Sequence, residues 1–213
     1  MDFQDFLNNS PKIRKINLPG EAAHEKLAPR FRVQELQKME IEQRNPRHAA
    51  VLAVFYPGRN NQTYFILILR KTYPGVHSNQ IGFPGGRVEK ADRNLEQTAI
   101  RETEEEVGIP AGEIEILAKI TPLYIPPSNF WVQPFLGYTR ATPELIPQEE
   151  EVEAILEVNL DDLLHDSCLT TRSLSTSYAK EVEVPAFLLE GQVVWGATAM
   201  MLSEMKEILR RAL

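Results

Sequence analysis

Cysteine is nearly absent from this chain. Cys168 is the single one in 213 residues, which excludes an intramolecular disulfide and suits a reducing compartment. With only four histidines beside it, no Cys/His cluster has the spacing of a zinc site. Long hydrophobic runs are missing too: the longest, Ala49–Tyr56, is far below the ~20 residues that span a bilayer. The acidic start MDFQDFLNNS lacks the apolar stretch of a signal peptide. Basic charge is also short. Lys and Arg number 23 against 30 Asp and Glu, giving a net charge of −7 and a pI near 5.3, so neither nucleic acid nor a membrane surface finds a broad basic footprint. No internal repeat is present. The expectation from these absences is a cytoplasmic protein with no nucleic-acid or membrane partner.

The length is within the range of one domain and sufficient to bury about 70% of the unfolded chain's surface. We expect a single domain over 1–213, with an N-terminal extension to about residue 45 that holds a helix around Arg32–Gln43, stopped before Pro46. Ala49–Tyr56 and Tyr64–Arg70 are apolar, β-branched and aromatic, and the turn-rich PGRNNQ between them predicts a strand pair. Glu115–Thr121, Trp131–Thr139 and the alternating VEAILEV read as further strands. The prolines of YIPPSNF make a stiff loop, either lining a site or turning at a sheet edge. A short helix capped by Asp161 or Asp162, a strand pair around VEVPAFLLEGQVVW and a helix from about Ala197 to the end complete the pattern. Met200, Met201, Met205 and Leu209 on that last helix belong either to the core or to a subunit contact, which would make a homodimer.

What the chain does have is concentrated charge. Glu102, Glu104, Glu105 and Glu106 place four carboxylates in five positions. On a helix, Glu102, Glu105 and Glu106 converge on one face, where like charges cost about 0.2–0.5 kcal/mol per pair. A bound cation reverses that sign. Leu95, Ala99, Thr103 and Val107 recur every fourth residue beside them, a stripe suited to the core. A Phe-Pro-Gly-Gly turn lies upstream, and Gly108 suits the left-handed position that ends a helix.

The segment GFPGGRVEKADRNLEQTAIRETEEEVGI resembles the signature of the Nudix hydrolases, G-x5-E-x7-R-E-U-x-E-E-x-G-U with U apolar. Arg101, Glu102, Glu105, Glu106, Gly108 and Ile109 stand where the family has them, and Thr103 replaces the apolar residue. Counting from Gly86, the first acidic position falls on Asp92, and eight residues instead of seven separate it from Arg101. The extra residue belongs in the loop before the helix, where insertions cost little. Asp92 is then a good N-cap. The resemblance implies an α/β/α sandwich with a mixed sheet, and hydrolysis of a phosphoanhydride aided by Mg²⁺ or Mn²⁺. It also implies metal ligation by Glu102, Glu105 and Glu106, joined by the backbone carbonyl of Gly86. Arg101 becomes an orienting ion-pair partner for these carboxylates. In similar enzymes the general base is a glutamate of the box or one in a later loop; Glu149-Glu150-Glu151 offers Glu151 for the second case.

Residues Ile66–Gly86 are similar to the motif of the coenzyme A pyrophosphatase branch, L-L-T-x-R-(S/A)-x3-R-x3-G-x3-F-P-G-G. Leu67, Arg70 and Phe83–Gly86 match, and His77 and Gln80 fit the same branch. Gly75 replaces its second Arg and Asn79 its Gly, which removes a cation able to hold a phosphate. The resemblance thus implies a nucleoside diphosphate derivative as substrate, coenzyme A or an acyl derivative first, bound through Arg70, His77, Gln80, Phe83 and Gly85. ADP-ribose, dinucleotides and nucleoside triphosphates are the alternatives within the family. A nucleotide-sensing module without catalysis is the alternative outside it, disfavoured by three converging carboxylates.

Overall fold

A computed structural model describes residues 1–37, 39–71, 80–174 and 181–213. At its centre, β1 (Arg47–Pro57) pairs antiparallel with β2 (Thr63–Arg70) through Phe55–Phe65 and Tyr56–Tyr64, as the sequence pattern predicts. β1 also pairs in parallel with β7 (Phe130–Tyr138) and antiparallel with the short β4 (Gly85–Arg87). The sheet is therefore mixed. Its order runs β3 (Ile81–Gly82), β2, β1, β7, β5 (Glu115–Lys119). β6 (Leu123–Ile125) joins β7, and β8 (Val152–Asn159, containing VEAILEV) joins β2.

Side-chain alternation along β1 and β2 divides the core in two. Ala50, Leu52, Val54 and Tyr56, with Ile66 and Ile68, face one layer, where helix α4 (Leu95–Val107) packs through Ala99 and Val107. Ala49, Ala53, Phe55, Phe65 and Leu67 face the other. There they meet α1 (Phe3–Ile13), α5 (Leu160–Leu164) and α6 (Gly196–Ala212). This is the expected helix–sheet–helix arrangement.

Several boundaries depart from the sequence reading. The N-terminal helix α3 covers Arg30–Gln37, starting earlier than expected because Pro29 fits the first turn, where a missing N–H costs nothing. Glu42–Arg44 forms a separate 3-10 turn closed by left-handed Asn45. Two further helices were not anticipated. In α1, Phe3, Phe6 and Ile13 are buried although the segment is polar on average; three well-spaced apolar residues suffice for a helix that needs only one buried face. The other, α2 (Glu21–Lys26), packs on α6. There the fully buried Glu204 accepts from the Gly20 and Thr121 amides and the Thr121 hydroxyl, and lies 3.1 Å from His24 Nε2. These bonds fasten the extension to the last helix. Asn159, not Asp161 or Asp162, caps α5, and the two aspartates occupy its first turn, where the helix dipole favours them. β10 (Val182–Leu189) and β11 (Gln192–Trp195) pair as expected, but β9 (Leu169–Leu174) joins them in a second sheet of three strands. Met200, Met201, Met205 and Leu209 are all buried in the core.

Candidate active site

Helix α4 is bounded as its sequence requires. Asn94 Oδ1 accepts from the Gln97 amide at 2.8 Å, so Asn94 is the N-cap. Gly108 ends the helix at φ +78°, a conformation that disfavours side chains. Ala99, Thr103 and Val107 are buried, with Leu95 partly so, as the stripe predicts. The helix runs unbroken from Leu95, which puts the additional residue of the box in the loop 88–94. Ile146 and Gln148 donate their amides to the Val107 and Glu106 carbonyls, satisfying groups the helix leaves unpaired. This docking brings the loop of Glu149–Glu151 to the end of the box helix.

Asp92 does not cap the helix. Its side chain is 1% exposed and takes a bidentate pair from Arg101, Nε to Oδ1 and Nη2 to Oδ2, both at 3.0 Å, together with bonds from the Thr98 hydroxyl and the Glu89 amide. The Arg101 guanidinium holds this carboxyl well below the usual carboxylate range. Sequence spacing did not reveal the pair because nine positions separate the residues and the chain turns between them. Arg101 also reaches Glu102 Oε1 at 3.0 Å and Glu105 Oε2 at 2.8 Å, so it is ion-paired to two carboxylates of the box.

Glu102, Glu105 and Glu106 share the expected side of the helix without meeting at one point. Glu105 is 56% exposed and leans on Arg101; Glu106 is 3% exposed and turned toward the glycine turn. Among the described residues no three His, Cys, Asp or Glu side chains are gathered into a ready metal cluster. The physical reason is that each carboxylate follows its own donor: Arg101 draws Glu105, whereas the Gly85 amide, at 2.7 Å from Oε2, draws Glu106. Glu104 faces elsewhere and accepts from the Ala111 amide at 3.0 Å.

Two observations make these residues a fit for a hard divalent cation. Glu106 Oε1 is buried and lies 2.9 Å from Arg70 Nη1 without an aligned hydrogen bond, so this carboxylate oxygen has charge compensation but keeps lone-pair capacity for a cation. At Gly86 a Cβ would stand 2.4 Å from Glu102 Oε2, so glycine alone lets that carboxylate approach the backbone. The donor set is all oxygen, which suits Mg²⁺ or Mn²⁺ over softer metals. Burial pushes Glu106 up to about 7, against the pull of Arg70 and the Gly85 amide. Burial raises Glu102 as well, opposed by Arg101. The charge of Glu151 adds to both shifts, so this exposed side chain lies within electrostatic reach of the box.

On the sheet face opposite α4 lies a cavity of about 300 Å³. Gly85 and Gly86 form the wall between the cavity and the box. Gly85 sits at φ +149°, where a Cβ would lie 2.3 Å from the Ala50 carbonyl. Arg70, Gln80, Phe83 and Gly85, the residues the motif offers for substrate, line the cavity, although Arg70 also directs its guanidinium to Glu106 and, at 2.6 Å, to the Gly85 carbonyl. YIPPSNF lines it through Tyr124, Ile125, Pro127, Ser128 and Phe130, and its residues 126–129 form the turn between β6 and β7, so the segment is at once cavity wall and turn. His77 and Gly75 fall outside the described residues. Phe31 and Arg32 of α3, with Trp195, Thr198, Met200 and Met201 around the start of α6, close the cavity from distant parts of the chain, residues that the sequence does not single out one by one. The box helix and the Glu149–Glu151 loop stay on the other face, so the cavity and the acidic helix meet at the glycine pair.

Residues 46–175 match the NUDIX domain family. The chain is 32% identical over 167 residues to an uncharacterized Nudix hydrolase, NudL, of Pectobacterium atrosepticum, covering 75% of this chain and 81% of that protein. The NudL of Yersinia pestis is 32% identical over 145 residues, 67% of this chain and 70% of the relative. Among solved structures, a Nudix hydrolase from M. smegmatis, RenU, superposes with a TM-score of 0.55 at 13% identity, over 79% of this chain and 88% of that one, which is a likeness of fold. The chain belongs to the Nudix family. It is a hydrolase of phosphoanhydride bonds, a class that acts on small nucleotides and generally uses divalent metal ions.

Proposed function

We propose that the chain is a metal-dependent pyrophosphohydrolase of nucleoside diphosphate derivatives, with coenzyme A or acyl-coenzyme A as its substrate. The observation that carries this reading is the cavity beside the glycine pair. It is walled by Phe83, Trp195 and Met201 yet bordered by Arg70 and Arg87, a shape and chemistry suited to a molecule whose diphosphate joins a nucleotide to a long, mostly uncharged arm. Glu102, Glu105, Glu106 and the Gly86 carbonyl would hold Mg²⁺ or Mn²⁺, and the chemistry such a cation would supply there is neutralisation of diphosphate charge and a more acidic water. Arg101 keeps Glu102 and Glu105 in place, itself anchored by Asp92. Gly85 and Gly86 let β4 pack closely on β1 and on Glu102, which sets the backbone beside which the diphosphate would lie. Glu151, exposed and near the box, takes the proton from the attacking water.

The test is kcat/KM for coenzyme A, dephospho-coenzyme A and ADP-ribose with each metal. Coenzyme A is expected to lead, yielding 3′,5′-ADP and a phosphopantetheine product. Turnover of ADP-ribose at least as efficient as that of coenzyme A overturns the substrate reading and leaves the family intact.

A further inference from the structure

The loop that joins β4 to α4 forms, with the start of β1, a cleft lined by Arg47, Arg87, Lys90 and Arg93. In a protein of net charge −7 such a grouping of cations is out of proportion. Two acids share the cleft, and one of them, Asp92, already has both oxygens bonded to Arg101. That leaves Glu89 against four positive side chains. Among the described residues, the side chains of Arg87, Lys90 and Arg93 have no hydrogen-bond or ion-pair partner, so their donors face the cleft unused. Arg47 is fixed instead: it donates to the Ser128 carbonyl at 3.0 Å and its guanidinium lies 4.2 Å above the centre of the Phe130 ring.

The position of the cleft gives this charge a use. Ser128 and Phe130, which hold Arg47, also line the apolar cavity, and Arg87 borders both cavity and cleft. Gly86, against which the Glu102 carboxylate of the box packs, immediately precedes Arg87. A ligand with its diphosphate at the glycine pair can therefore reach the cavity with one arm and the cleft with the other.

We infer that this cleft binds a second phosphate group of the substrate, a phosphomonoester dianion on the nucleotide half that is not itself cleaved. The inference rests on the coenzyme A reading, whose nucleotide carries such a group at the 3′ position. Guanidinium and ammonium donors suit a phosphate dianion, and Arg87 and Arg93 add the fork geometry that two phosphate oxygens accept. Each exposed contact is worth about 1.5- to 5-fold, so three acting together give about tenfold.

The test compares the wild-type protein with the double variant Lys90→Gln/Arg93→Gln, two exposed positions whose replacement leaves no buried group unpaired. Calorimetry on metal-free protein measures affinity for 3′,5′-ADP and for 5′-AMP. Wild type is expected to prefer 3′,5′-ADP by about tenfold, the variant by less than about threefold, and the wild-type preference should shrink as salt rises. Kinetics with metal should show the same narrowing of the coenzyme A to dephospho-coenzyme A ratio of kcat/KM. An equal affinity of wild type for the two nucleotides, or a preference that survives in the variant, overturns the assignment. If wild type hydrolyses neither coenzyme A nor dephospho-coenzyme A, the substrate reading falls and takes this inference with it. If it hydrolyses both with a ratio the variant leaves untouched, the cleft assignment alone falls.

Discussion

Replacing Asp92 by Asn tests whether the box helix is held by the Asp92–Arg101 pair. The substitution keeps size and shape but removes the charge and turns one acceptor into an NH₂ group facing the guanidinium. Removing one partner of a fully buried pair costs about 3–5 kcal/mol. Arg101 is 21% exposed and retains Glu102 and Glu105, so water and these carboxylates recover part of the loss. We expect about 2–3 kcal/mol, which for a chain of this length lowers Tm by roughly 5–10 °C. The pH dependence follows from the direction of the shift. The Asp92 carboxyl is depressed in the folded state, so its stabilisation is complete above the unfolded value of about 3.9 and is lost as pH falls below it. Thermal melts of both proteins should therefore differ by a constant amount from about pH 8 to about pH 5 and converge below about pH 4. A variant melting within about 1 °C of wild type at pH 7 would refute the structural role of the pair. A gap that persists unchanged into the acid range would show that charge is not its source.

Other expectations concern activity. Protein stripped with chelator should lose turnover, recover it on addition of Mg²⁺ or Mn²⁺, and melt higher with metal, because binding favours the folded state; full turnover in chelator excludes the metal reading. Glu106→Gln should lower kcat by ~10³-fold or more, about 4 kcal/mol of barrier, whereas Glu104→Gln, whose carboxylate accepts from the Ala111 amide, should stay near wild type. A large loss at Glu104 with none at Glu106 would assign the chemistry to the wrong helix face. Gly86→Ala should cost about 100-fold in kcat with little change in Tm, since the new methyl group displaces the flexible end of Glu102 from its place. Unaltered kinetics would mean that this close approach serves packing only.

The sequence by itself determined the elements whose signals are local. Continuous apolar, β-branched and aromatic runs set β1 and β2, strands buried on both faces, and the alternation of VEAILEV set β8. The stripe through Ala99, Thr103 and Val107, closed by Gly108, set the box helix and the side on which Glu102, Glu105 and Glu106 lie. The resemblance carried by those carboxylates fixed the family. Only the tertiary structure decided what depends on residues distant in the chain. Asp92 turned out to be the anchor of Arg101, with Asn94 taking the cap, because the loop folds back by an amount that spacing does not encode. Phe31, Trp195 and Met201 come from opposite ends of the chain, and nothing local marks them as neighbours of Phe83. The three carboxylates share a helix face, as periodicity requires, yet each turns toward its own donor. That choice is made by Arg101, Arg70 and the Gly85 amide, groups brought to the helix by the fold.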